Sequence, residues 1–202
     1  PTSGHTDDSY SISEFYQDIA LSELHSGCKV GSFSVNTPAS GLVTTDFTFM
    51  GKGLDQTGTT SYFTTPTALG TTGIVAAANG AVIVNGLATG ACVSSFSFTV
   101  NREMEASQCI GSDSAEAIFS GKITCDGSVD VYLESGYISG LFENETDTTL
   151  VLALATGSEK DAGVMTFVLP RVVLSSATKA DGSLGIMLTA AFTAVENSVT
   201  TG

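Results

Sequence analysis

Lys122-Ile123-Thr124-Cys125-Asp126-Gly127-Ser128-Val129-Asp130-Val131-Tyr132-Leu133-Glu134 alternates apolar and polar residues with a period of two. In an extended chain that period sends successive side chains to opposite faces. Ile123, Cys125, Gly127, Val129, Val131 and Leu133 then form one face, and Lys122, Thr124, Asp126, Ser128, Asp130, Tyr132 and Glu134 the other. The stretch reads as a strand with a greasy side and an acidic side. Upstream, residues 92–100 alternate likewise, with Phe96, Phe98 and Val100 on the apolar side. Between the two, Asp113-Ser114-Ala115-Glu116 has the spacing of a capped helix start, and Gly121 would end that helix. A second short helix is expected over 137–142, where Tyr137, Ile138, Leu141 and Phe142 share a side.

Outward from this unit the chain reads as further strands. Residues 28–35 and 42–50 flank the turn formers Asn36-Thr37-Pro38-Ala39-Ser40-Gly41 and predict a hairpin, with Val43, Thr45, Phe47 and Phe49 on one face. Residues 10–25 carry strand and helix signals of equal weight. Residues 81–84 with Asn85-Gly86 predict a short strand that turns back into 91–101. Residues 148–156 are apolar on both faces, which calls for cover on both sides, by a sheet and a helix or by a neighbouring subunit. Residues 164–174 repeat that character, with Pro170 at an edge or a bulge, and 184–195 close the series. The Thr- and Gly-rich stretch 54–80, which holds Tyr62, Phe63 and Pro66, has no clear period and reads as a long loop.

Composition narrows the function. The 202 residues carry a formal charge of −14 with only seven Lys and Arg, so no basic patch is available to neutralise phosphates. Charged residues are 14% of the chain, against about a quarter in ordinary soluble domains. The four cysteines show no CxxC spacing and read as small buried hydrophobes, with a Cys92 to Cys125 disulfide as the alternative. His5 and His25 neighbour no nucleophile motif, and no metal-spaced Cys/His set occurs. Gly51-Lys52-Gly53 lacks both the upstream glycine and the Ser/Thr of a phosphate loop. Asp126, Asp130 and Glu134 recur on one strand face, but their spacing is too long for a shared ion. No catalytic, cofactor or metal site is expected, and no run is long and apolar enough to span a bilayer. The sequon Asn144-Glu145-Thr146 matters only in a secreted protein. The chain opens at Pro1 without Met, as a processed product or a piece of a longer one would.

Four segments, taken together, resemble the major tail tube proteins of long, non-contractile-tailed bacteriophages. They are Val93-Ser94-Ser95-Phe96-Ser97-Phe98-Thr99-Val100-Asn101-Arg102, Ile118-Phe119-Ser120-Gly121-Lys122-Ile123-Thr124-Cys125-Asp126-Gly127, Leu141-Phe142-Glu143-Asn144-Glu145-Thr146 and Phe47-Thr48-Phe49-Met50-Gly51-Lys52-Gly53. The resemblance implies a mainly β fold, a sandwich or barrel-like module with one or two short helices. Its sheets would join between subunits into a ring, and rings would stack into a tube through which DNA passes without specific binding. It implies no enzyme activity and no cofactor. The partners implied are further copies of the chain, as a hexamer or a pseudo-sixfold trimer, and tape-measure and tail-terminator-type proteins, with no membrane. The place implied is the virion tail, after assembly in the host cytoplasm.

Arg171-Val172 through Gly182 to Phe192-Thr193-Ala194 echoes Lys29-Val30 through Gly41 to Phe47-Thr48-Phe49, with a second loop three residues longer, which fits a duplicated module. On that reading residues 1–53 are an arm and the end of a first module, 54–80 a linker, 81–196 a complete module and 197–202 a polar tail. About a hundred residues, a module's worth, would then precede Pro1. Asp126, Asp130 and Glu134 are the expected lining of the channel, and Tyr62, Phe63 and Pro66 the expected contact between rings. The rival expectation is a secreted adhesin or pilus-like β-sandwich, which would carry a disulfide.

Overall fold

The computed structural model describes residues 8–68, 70, 73–85, 87–88, 92–132, 137–159, 161–182 and 185–196, without the side chains of 87, 88, 137, 139, 181 and 182. Among them are eleven strands and one α-helix: β1 (Tyr10–Tyr16), β2 (Leu21–Pro38), β3 (Thr44–Met50), β4 (Gly53–Gly58), β5 (Gly80–Val84), β6 (Leu87–Ala88), β7 (Val93–Ala106), β8 (Ile118–Tyr132), α1 (Tyr137–Glu143), β9 (Thr148–Ala155), β10 (Val164–Gly182) and β11 (Gly185–Ala194). The mainly β expectation holds, and residues 10–25, open by sequence, are β1 and the start of β2. Contacts divide the chain into two units, and β2, β3, β7 and β8 each contribute residues to both.

The larger unit comprises Phe33–Asp46, Thr71–Asn101 and Thr124–Gly202. Its strands neighbour one another in the order β7-β8-β11-β10-β9-β5-β6. Apolar residues meet across each ladder: Val131 opposite Leu188, Val129 opposite Ala190, Phe167 opposite Leu152, and Val82 opposite Leu152. The sheet curls until β5 and β7 face each other, because Val82, Val84 and Val93 line one interior space with Val129, Ile138 and Leu150. That space is only about 10 Å³, so the interior is filled. Phe96 is buried in this core, stacked on Phe192 with centroids 5.7 Å apart, while Phe98 meets Phe33 and Phe167 edge-on at 6.0 and 5.2 Å.

Three local features explain how the chain closes around this core. Gly127 stands opposite Phe192, and a side chain there would collide with the Phe192 ring and the Ser97 carbonyl. The helix expected over 137–142 is α1; it buries Ile138 and Leu141 and packs on β10. It ends with Glu145 in the left-handed region at φ 49°, while Thr146 N–H donates to Leu141 O and Glu145 N–H to Phe142 O. These bonds satisfy the final carbonyls of the helix in place of a glycine cap. At Pro170 the register between β10 and β9 shifts, between Leu169 and Val172, which is the expected bulge.

The smaller unit comprises Pro1–Ser32, Phe47–Gly70 and Arg102–Ile123. β1 and β4 both pair antiparallel with the first half of β2, Tyr10 opposite Cys28 and Leu54 opposite His25. Among its described residues few are buried: Ser22, Cys28, Ala115 and Ile118.

Three expectations need correction. Residues 113–116 are not helical, because their backbone donors are taken elsewhere: Ala115 N–H donates to Lys52 O and Ala117 N–H to Ser107 Oγ. β5 turns at Asn85 into β6 and pairs with β9, so it does not form a hairpin with β7; Val82 and Val84 match Leu152 and Leu150 in parity. The stretch 54–80 is not structureless throughout, since Leu54 to Gly58 belong to β4 and Ala77–Asn79 form a 3-10 turn. On β9, Leu150, Leu152 and Leu154 are in the core, and Val151, Ala153 and Ala155 are half-buried, so within one chain its second apolar face has only part of the expected cover.

Truncating the aromatic pair should be costly. Phe192→Ala should lower unfolding free energy by about 3–5 kcal/mol, and Gly127→Val by about 1–3 kcal/mol through overpacking. Denaturant titration of each variant checks both values. A Gly127→Val chain as stable as the parent would contradict the close approach of β8, β7 and β11.

Candidate functional site

On the outer face of the larger unit, opposite its core, the sheet divides into a polar half and an apolar half. The polar half belongs to β7, β8 and β11. Asp130 accepts hydrogen bonds from Ser95 Oγ and from Thr189 Oγ1, both at 2.6 Å. Asp126 accepts one from Thr193 Oγ1 at 2.7 Å, and Ser97 and Ser128 hydroxyls lie 3.1 Å apart between them. Thr189 and Thr193 are the direct cross-strand partners of Asp130 and Asp126, so the register of β8 on β11 makes these bonds. Thr178 and Ser176 continue the same face on β10, opposite Thr189 and Ala191. No Lys or Arg stands among these residues. Each hydroxyl that donates to a carboxylate turns its lone pairs, not its proton, outward. The face therefore offers negative charge and acceptors, and few donors. Glu134, the third residue expected on this face, lies outside the described residues.

The apolar half belongs to β10, β9 and β5. Val164 is opposite Ala155, Thr166 opposite Ala153 and Val168 opposite Val151, and Ile83 in turn is opposite Val151. Val164 and Val168 are 68% and 56% exposed.

In the smaller unit, Tyr62 packs against Gly58, and its hydrogen bond to Asp55 raises the phenol pKa. The Asp55 carboxyl is held below its usual range by the Thr57 hydroxyl and amide, both within 2.9 Å, and then by Tyr62. Phe63 and Pro66 are exposed, so of the three residues expected between rings, one is anchored locally and two are presented. Sequence reasoning missed a larger feature of this unit. Tyr10, Phe47 and Phe49 form an aromatic patch, Tyr10 edge-on to Phe49 at 6.4 Å and Phe47 beside Phe49 at 6.3 Å. They are 51%, 57% and 41% exposed. The shared parity of Phe47 and Phe49 was the available signal, but alternation cannot tell a face that meets a core from one that meets solvent.

Nothing in this arrangement resembles a reaction centre. Among the described residues no group of His, Cys, Asp and Glu could hold a metal. All four cysteines are free thiols, against the disulfide of an adhesin-type sandwich, but only Cys28 is buried as expected; Cys92 and Cys109 are exposed, and Cys125 is half-buried, which pushes its thiol pKa up. A cleft of the larger unit, about 260 Å³, is lined by Thr37, Ala77, Ala81, Val93, Ser95 and their neighbours, with no ionisable side chain in it. Among the described residues no helix is long and apolar enough to cross a membrane.

Comparison with known proteins gives these surfaces a setting. No curated protein matches the chain. The family model described as phage tail tube protein matches residues 2–194, nearly the whole length. The chain therefore belongs to the phage tail tube protein family, whose members are structural proteins of the virion tail.

Proposed function

We propose that copies of this chain close into rings that stack into the tail tube of a long, non-contractile-tailed phage, with Asp126, Asp130 and Glu134 facing the DNA channel. The observation that carries this reading is the polar half-face, where Asp126 and Asp130 hold the hydroxyls of Ser95, Thr189 and Thr193 and, among the described residues, form no ion pair. A wall of that kind repels phosphates and gives them little to bond to, so a duplex can move past it without sticking. The chain-wide charge of −14 extends the same repulsion along a stacked channel. Such a role needs no catalytic group and no cofactor. Assembly would take place in the host cytoplasm, with tape-measure and tail-terminator-type proteins setting the length. The duplicated-module reading, with 81–196 as a complete module and a ring of three or six chains, belongs to the same proposal.

The exposed Phe63 and Pro66 are proposed to meet the next ring. Ordering such a segment on contact requires apolar anchors, which these residues supply.

Negative-stain electron microscopy of the purified chain over a concentration series tests assembly. Stacked rings or hollow tubes are expected, and Phe63→Asp should stop growth at single rings. A chain that stays monomeric at every concentration, or Phe63→Asp tubes of parental length, would contradict the corresponding part.

Charge reversal tests the channel. Tubes of the Asp126→Lys/Asp130→Lys double variant should retain DNA in their bore, with release on raising salt, and phage carrying it should eject DNA several-fold more slowly. Ejection at the parental rate from intact tails would place the face elsewhere.

A further inference from the structure

We infer that the aromatic patch of the smaller unit, Tyr10, Phe47 and Phe49, seats on the apolar half-face of the larger unit of a second copy, around Val164 and Val168. The inference rests on the assembly reading above and names the surfaces that carry it. Two properties of the patches select each other. Both present large apolar side chains to solvent, from 41% exposure at Phe49 to 68% at Val164. A monomer gains nothing from such exposure, whereas an interface does. Both are also free of charge at their centres. The groove beside the patch is lined by Tyr10, Ser11, Ile12, Val30, Phe47 and Phe49, and the half-face by Val164, Val168, Val151, Ala153 and Ile83.

Charge then decides the occupant. Two copies at −14 each repel one another over most of their surfaces. They can come together only where no carboxylate is buried, because an unpaired buried charge is costly. The two apolar patches meet that condition, and the acidic half-face does not. A tube is built from many copies of one chain, so a second copy is the partner present at highest concentration. The contact is head-to-tail, since it joins different surfaces, and such contacts close into rings or run on into stacks.

Head-to-tail geometry has a signature that other contacts lack. Phe47→Glu spoils only the patch, and Val168→Glu spoils only the half-face. Each purified variant, with parental circular dichroism, should stop at one small species where the parent polymerises. Mixing the two species should double their mass in analytical ultracentrifugation and go no further, because one intact patch meets one intact half-face. Tyr10→Glu in place of Phe47→Glu should give the same result, which removes dependence on one variant folding. A Val168→Glu chain that polymerises like the parent, or folded variants whose mixture does not grow, would overturn the contact. A parent that never assembles would overturn the assembly reading and this contact with it.

Discussion

The pairing register of β8 with β11 is the constraint on which the rest depends. With Val131 opposite Leu188 and Val129 opposite Ala190, the aliphatic set meets the core, and Asp130 and Asp126 meet Thr189 and Thr193 on the outer face. A slip of one residue would exchange the two faces, burying carboxylates and exposing valines. The Phe192 ring lies over Gly127, where a side chain would collide with it, and this contact favours that register. One aromatic–glycine contact thus underlies both the core and the acidic surface.

The two units solve opposite problems. The larger buries at least sixteen of its described residues, from Val35 to Phe192, in the core of a curled sheet. The smaller has strands of comparable length around β2 but few buried side chains, with Phe119, Ile123, Phe47 and Tyr10 left toward solvent. Small units lack the interior volume to bury what their strands carry, and they gain stability by association. In a family of tube-forming proteins, apolar surface left over in one chain is material for contacts between chains.

Much of this was legible in the sequence where one face of a strand meets the core. The alternation over 122–134 placed Val129 and Val131 inside and Asp126 and Asp130 outside, and the spacing of Ile138 and Leu141 marked α1. Pro170 marked its bulge. Legibility failed where long-range contacts decide the outcome. The capping pattern at Asp113 and Glu116 was overridden by bonds from the Ala115 and Ala117 amides to Lys52, remote in sequence, and to Ser107, ten residues back. The neighbours of β5 depended on matching parity with β9, some seventy residues away, which local turn chemistry at Asn85 cannot specify. Ile123 continues the alternation perfectly and is nevertheless 60% exposed, since a period of two reports sidedness and not what lies on that side.

The central claim is that the acidic half-face lines a channel, and a helical reconstruction of assembled tubes by electron cryo-microscopy tests it most directly. The account predicts Asp126 and Asp130 at the inner radius, with their Thr193, Ser95 and Thr189 partners beside them and no cation closer to the axis. Density placing these carboxylates on the outer wall, or buried between subunits, would contradict it.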